Sequence, residues 1–139
     1  MTSEEKDLLL KDLCARLSYG VKISIPELWT SEKKIEVLNE IFKGDDGEFR
    51  CNDSGMLIKY VKSYLFPLSS MTEEQKSYIN GRWGVNEHFE FEIDPLWGEY
   101  FVDLSDAVEF INWCYENHFD INGLIPRGLA EDATDKNIY

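Results

Sequence analysis

Cys114 and His118 stand four residues apart, a spacing that puts a thiol and an imidazole on one side of a helix and supplies half of a zinc site. The other ligands would have to come from Cys51 or His88. Structural zinc sites draw their second pair from a close-spaced Cys or His half-site, and this chain has none. The spacing therefore favours a buried thiol and a core imidazole. Glu90, Glu92 and Asp94 alternate along one face of a predicted strand, and Asp45, Asp46 and Glu48 crowd a predicted turn. Carboxylates so placed can hold Mg²⁺ or Ca²⁺, or act as an acid/base pair. With 27 acidic residues in the chain, neighbouring carboxylates arise by chance, and a solvated face accounts for them. There is no G-x-S-x-G elbow, no glycine run followed by Lys-Ser/Thr, and no obvious positive or helix-terminal setting to lower the pKa of Cys51. No catalytic, cofactor-binding or metal-binding residue is assigned on this basis. A small enzyme using carboxylates or the Cys114/His118 pair is the alternative reading.

What remains is an aromatic and acidic surface: Trp97, Tyr100 and Trp113, with Asp106, Glu109 and Glu116. Indole and phenol rings recur in interface hot spots, and like charge around them steers an oppositely charged partner. The charge is unevenly laid out. The chain carries −13 overall, yet residues 1–82 are nearly balanced, while no Lys or Arg occurs from Trp83 through Pro126. Direct binding to nucleic acid, which depends on Lys and Arg neutralising phosphates, is not expected, nor is binding to an anionic membrane surface. The partner such a surface suits is a basic protein, such as the DNA-binding face of a host factor. A homodimer burying Trp113 between its subunits is the other option, and the bland alternative covers Trp113 with a loop or the C-terminal tail.

The element that must position this surface is the clearest helix in the chain, in the stretch 103–133. Ser105 can cap it, Asp106 and Glu109 suit its positive end, and Ala107, Val108, Phe110, Ile111, Cys114, Tyr115, His118 and Phe119 fall on one broad face. Burying each such side chain is worth roughly 1.5–3 kcal/mol, so the face is expected to dock. Trp113 lies among the polar positions. Upstream, Thr2 and Glu5 form a predicted capping box for a helix over 3–18, with Leu10, Leu13, Cys14 and Leu17 inward. Val21, Ile23 and Ile25 alternate as a strand ended by Pro26. Residues 33–43 fit a helix or a strand; the turn GDDG at 44–47 and the run 48–51 favour a strand in a hairpin. A meander continues through Ile58, Tyr60 and Val61 into Tyr64-Leu65-Phe66. Thr72 and Gln75 open a second helix, predicted to stop at Asn80-Gly81, and 89–93 reads as an acidic strand.

The chain length and composition, 139 residues with 43% hydrophobic and 14% aromatic, predict a single folded domain over 1–139 and exclude a disordered chain. The fold class expected is α+β: an N-terminal helix, a small antiparallel sheet or partly open barrel, and a C-terminal amphipathic helix. Three scattered cysteines, a charged N-terminus and no apolar run near ~20 residues point to a soluble cytoplasmic protein.

Three runs, LLLKDLCARLSYGVK at 8–22, YLFPLSSMTEEQK at 64–76 and NHFDINGLIPRGLA at 117–130, resemble small uncharacterised proteins encoded by gut-bacterial genomes and their phages or other mobile elements. That resemblance covers about a third of the chain and implies no activity, because the group has no established function. It implies a helix packed on a small antiparallel sheet, a hairpin over 33–51, and a structural corner at PLSSMTEE. Taken together, the expectation is a non-enzymatic, acidic protein-interaction module without cofactors.

Overall fold

Thr2 opens the first helix, α1 (Ser3–Arg16): its hydroxyl accepts from the Glu5 amide while the Glu5 carboxylate accepts from the Thr2 amide. The computed structural model describes residues 1–27, 29–90 and 104–139. A short 3₁₀ turn, Leu17–Tyr19, follows α1 and ends at Gly20 in the left-handed region. The chain then forms β1 (Lys22–Pro26), β2 (Lys33–Val37), β3 (Ile41–Lys43), β4 (Phe49–Cys51), β5 (Met56–Leu57) and β6 (Lys62–Leu65). Two helices, α2 (Glu73–Trp83) and α3 (Leu104–Glu116), precede a last strand, β7 (Ala130–Asp132). The fold is α+β.

Among the described residues the strands make two open sheets, not closed into a barrel. One sheet has the order β2-β1-β6-β7, antiparallel except for β7, which runs parallel to β6. The other, β3-β4-β5, is antiparallel throughout. Residues 33–43 are extended, as the GDDG hairpin required. They are split, however: β2 belongs to the first sheet and β3 to the second. The hairpin closes as read from sequence, with Lys43 opposite Phe49 and Gly44 donating to the Glu48 carbonyl at 2.8 Å. Asn52, in the left-handed region at φ 57°, joins the sheets. Its side chain donates to the Val37 carbonyl and the Glu36 carboxylate and accepts from the Asn39 amide, while its own amide bonds the Glu40 carbonyl.

Three expectations need correction. The meander breaks after β5 at a 3₁₀ turn, Ile58–Tyr60, and β6 crosses to the other sheet. Helix α2 passes through Asn80-Gly81 and stops only at Gly84, whose left-handed conformation a Cβ would strain. The predicted strand over 89–93 begins in a turn instead: Asn86 Oδ1 accepts from the amides of His88 and Glu90, and Phe89 has φ 62°. Residues 91–93 of that prediction lie outside the described residues. Among the described residues no helix is long and apolar enough to cross a membrane.

Two apolar cores result. Leu9 and Leu13 of α1 cluster with Ile23, Ile25 and Leu65 of the four-stranded sheet and with Val21 and Val61, which immediately precede β1 and β6. Met71, Ile79, Val85, Phe110, Cys114 and Phe119 form the second, between α2 and α3. The inner face of α1 is rotated from the predicted one: Cys14 is exposed, and Asp12 and Arg16 are fully buried beside Leu9 and Leu13.

Those two charges hold each other, with Arg16 Nε 2.8 Å from Asp12 Oδ2. Arg16 Nη2 also donates to Asp12 Oδ1 and, at 2.7 Å, to the Phe119 carbonyl beyond the end of α3. Asn122 donates to Asp12 Oδ1 at 2.8 Å and to the Tyr115 hydroxyl at 3.1 Å, and the guanidinium lies 4.8 Å over the Tyr115 ring. Removing one member of a buried pair leaves the other charge desolvated and uncompensated, at a cost of about 3–5 kcal/mol. Arg16→Met is expected to lower the unfolding free energy by that amount in urea denaturation. The double variant Asp12→Leu/Arg16→Met, which buries no lone charge, is expected to lose clearly less.

Candidate functional site

Helix α3 offers the surface singled out in the sequence. Ser105 lies inside the helix, one residue past its first, and is therefore not its cap. The inward positions are Phe110, Cys114 and Tyr115, all buried. The predicted apolar face is wider than the surface that receives it: Val108 and Ile111 remain 48% and 41% exposed. Asp106 is half-buried, and Glu109 and Glu116 are exposed. Trp97 and Tyr100 lie outside the described residues.

Trp113 is neither sealed in the core nor open to solvent. It is half-buried in an aromatic cluster built with α2. Its ring stacks on Phe119 at 5.7 Å and lies 5.9 Å from Tyr78 and 6.2 Å from Trp83. Tyr78 meets Trp83 edge-on at 5.7 Å. Offset and edge-to-face pairs of this kind add about 0.5–1.5 kcal/mol beyond area burial. Glu109 is tied to the same cluster, its Oε2 accepting from Trp83 Nε1 at 3.1 Å and from Arg82 Nη2 at 3.2 Å. It therefore orients α2 against α3 and offers a partner less than its exposure suggests.

Sequence reading overlooked Tyr78 and Trp83, which lie on α2. The available signal was their i, i+5 placement with the two-helix pattern: α2 has only one fully buried apolar residue, Ile79, so its aromatics had to serve the helix–helix contact. Tyr78 is the most open ring of the group, at 50%.

Beside this cluster the surface forms a continuous groove between the start of α2 and the end of α3. One recess of about 280 Å³ is lined by Glu74, Gln75, Tyr78, Trp113 and Asn117. The adjoining one, about 410 Å³, shares Gln75 and Asn117 and adds Phe66, Ser70, Thr72, Glu116, His118 and Phe119. The floor is aromatic. The rim carries Glu74 and Glu116, both exposed and neither with an ion-pair partner among the described residues. The carbonyl end of α3 adds partial negative charge at the same place.

Helix α3 ends in a motif normally built on glycine. The His118 amide bonds the Tyr115 carbonyl and the Phe119 amide the Cys114 carbonyl, with His118 left-handed at φ 63°. The imidazole is held in this conformation by the Tyr139 ring stacked on it at 3.9 Å. Tyr139 is itself clamped, donating to the Tyr64 carbonyl and accepting from the Lys22 amide, each at 2.8 Å. Burial pushes His118 down to about 4, aided by the positive charges of Arg16 and Lys22. Burial raises Cys114 to about 12 against the opposing Arg16 charge, and raises Cys51 to about 11 with help from Glu36. At neutral pH these groups are a thiol, a thiol and a neutral imidazole. Cys114 packs in the second core, and no group of three or more His, Cys, Asp or Glu converges to hold a metal ion among the described residues. Of the turn acids, Asp46 is structural: it accepts from the Glu48 amide and from Arg50, which hold its carboxyl below the ordinary range.

Comparison with the models of known protein families, with curated proteins and with solved structures found no match for this chain. Its fold and geometry define an α+β protein whose most distinctive chemistry is a surface groove with acidic and aromatic walls.

The His118 shift has a pH consequence. The folded-state pKa lies below the ordinary value of 6.5, so between about 6.5 and about 4 the unfolded chain binds a proton that the folded chain refuses. Stability is fully present above that window and falls as pH drops through it. The lowered carboxyls of Glu36, Glu131 and Asp132 lose their contribution only further down, through their own depressed values. Urea midpoints measured from pH 7 to pH 5 are expected to fall in the wild type. His118→Asn, which tolerates the left-handed cap, is expected to flatten that slope.

Proposed function

We propose that this chain is a non-enzymatic protein-interaction module whose α2–α3 groove takes up basic side chains of a DNA-binding protein. The observation that carries the reading is the pairing of Glu74 and Glu116 with the Tyr78–Trp113 floor. A Lys or Arg inserted there gains a carboxylate and an aromatic face together, and a cation over an aromatic ring is worth about 0.5–2 kcal/mol depending on desolvation. The absence of Lys and Arg from Trp83 through Pro126 keeps competing cations off the α3 side of the groove, and Asp106 adds to the field. Trp113 acts as the wall of the groove, and Tyr78 is the ring a partner reaches. Cytoplasmic residence fits the three free thiols, Cys14, Cys51 and Cys114.

The test is binding to purified basic DNA-binding proteins, titrated at rising salt. Affinity is expected to fall steadily with salt, since the screening length drops from about 10 Å at 0.1 M to about 3 Å at 1 M. Glu74→Lys combined with Glu116→Lys is expected to weaken binding roughly tenfold or more at low salt, with Tyr78→Ala acting at all salt concentrations. Binding that ignores ionic strength and survives these substitutions discards the proposal.

A further inference from the structure

Strand β2 forms one edge of the four-stranded sheet. Its ladder with β1 is bracketed by hydrogen bonds from Leu38 to the Val21 carbonyl and from Glu27 to the Glu32 carbonyl. Antiparallel pairing alternates, so Lys34 and Glu36 direct their backbone groups to β1, while Lys33, Ile35 and Val37 direct theirs outward. Of these outward groups only the Val37 carbonyl has a partner among the described residues, the Asn52 side chain, and a carbonyl can accept twice. Ile35 and Val37 are 48% and 46% exposed, an unusual amount of aliphatic surface for an unpaired strand. Just before the strand, Trp29 is 94% exposed.

Natural edges are commonly defended by charged side chains, lysine above all. In β2, KKIEV, Lys34 and Glu36 place opposite charges symmetrically about the central Ile35, while the third charge, Lys33, lies on the other face of the strand. We infer that β2 pairs antiparallel with β2 of a second copy of this chain, on a two-fold axis through Ile35. In that register each Ile35 exchanges both backbone hydrogen bonds with its counterpart, and each Lys33 pairs with the partner's Val37. Lys34 falls opposite the partner's Glu36, and Glu36 opposite the partner's Lys34, in the closer, non-hydrogen-bonded positions where side chains interact most strongly. The pair already lies within 3.1 Å inside one chain, so two copies assemble a ring of alternating charge. Lys33 does not obstruct the seam, because its ammonium is drawn across the sheet face to Glu131 at 2.6 Å. The isologous symmetry is what a closed dimer requires and what a foreign strand would match only by coincidence. The interaction is independent of the α2–α3 groove.

The experiment is sedimentation velocity from micromolar to sub-millimolar concentration on the full chain and five variants. The wild type is expected to shift from monomer to dimer. Ile35→Pro removes an amide that β1 does not use, so the sheet is kept while the outer edge is blocked, and this variant is expected to stay monomeric. Lys34→Glu and Glu36→Lys, each placing like charges opposite each other twice, are expected to weaken dimerisation roughly tenfold. The double swap Lys34→Glu/Glu36→Lys restores complementarity and is expected to return dimerisation to near the wild-type level. A wild type that stays monomeric throughout overturns the inference, as does a dimer that ignores Ile35→Pro or in which the double swap behaves no better than the single variants. A dimer broken instead by Tyr78→Ala would place the contact at the groove and overturn this one.

Discussion

The Arg16 guanidinium is the point at which the two halves of this molecule meet. Through Asp12 it belongs to α1 and the sheet core; through the Phe119 carbonyl and the Tyr115 ring it holds the exit of α3. Phe119 is a member of the second core and also bridges Phe66 at the end of β6. One buried cation thus connects both apolar clusters, and its own charge contributes to holding the His118 imidazole neutral. Such a pair adds little net stability over a hydrophobic replacement, but it penalises any packing in which α1 and α3 are misplaced.

Given that anchor, the relation of α2 to α3 follows from aromatic contacts and one carboxylate. Trp83 and Tyr78 cannot be buried by α2 alone, and Trp113 cannot be buried by α3 alone. They meet between the helices, and Glu109 fixes their relative rotation through Trp83 and Arg82. The groove is what remains beside that contact, so its aromatic floor is a by-product of helix packing.

Much of the fold was legible in local chemistry. Both capping boxes, at Thr2/Glu5 and Thr72/Gln75, are formed as their residue types imply. The GDDG turn distinguished strand from helix for residues 33–43, where periodicity could not. What escaped were features that depend on distant partners. Asp12 and Arg16 share an arc with Leu9 and Leu13, but a hydropathy pattern treats each as a solvent residue because it cannot see that they neutralise one another. The parallel addition of β7 to β6 involves residues widely separated in sequence, and nothing local announces it. Asn80-Gly81 reads as a stop, yet the helix continues because Ile79 and Trp83 on either side are held by the α3 contact. At the candidate surface, Trp113 reads from sequence as out of place among polar residues. Its neighbours on α2 were invisible until the helices were seen side by side.

Asn52 has a mechanical meaning. The chain leaves one sheet and enters the other within Leu38–Glu40, a place where two small sheets would ordinarily flex about a joint. One amide side chain, seated in a left-handed turn, rivets both sides of that joint at once. The sheets therefore move as a single plate, and the border strand that this plate presents to the surroundings is stiff before anything touches it. A preformed border loses little freedom on contact, so even a short seam along it can hold.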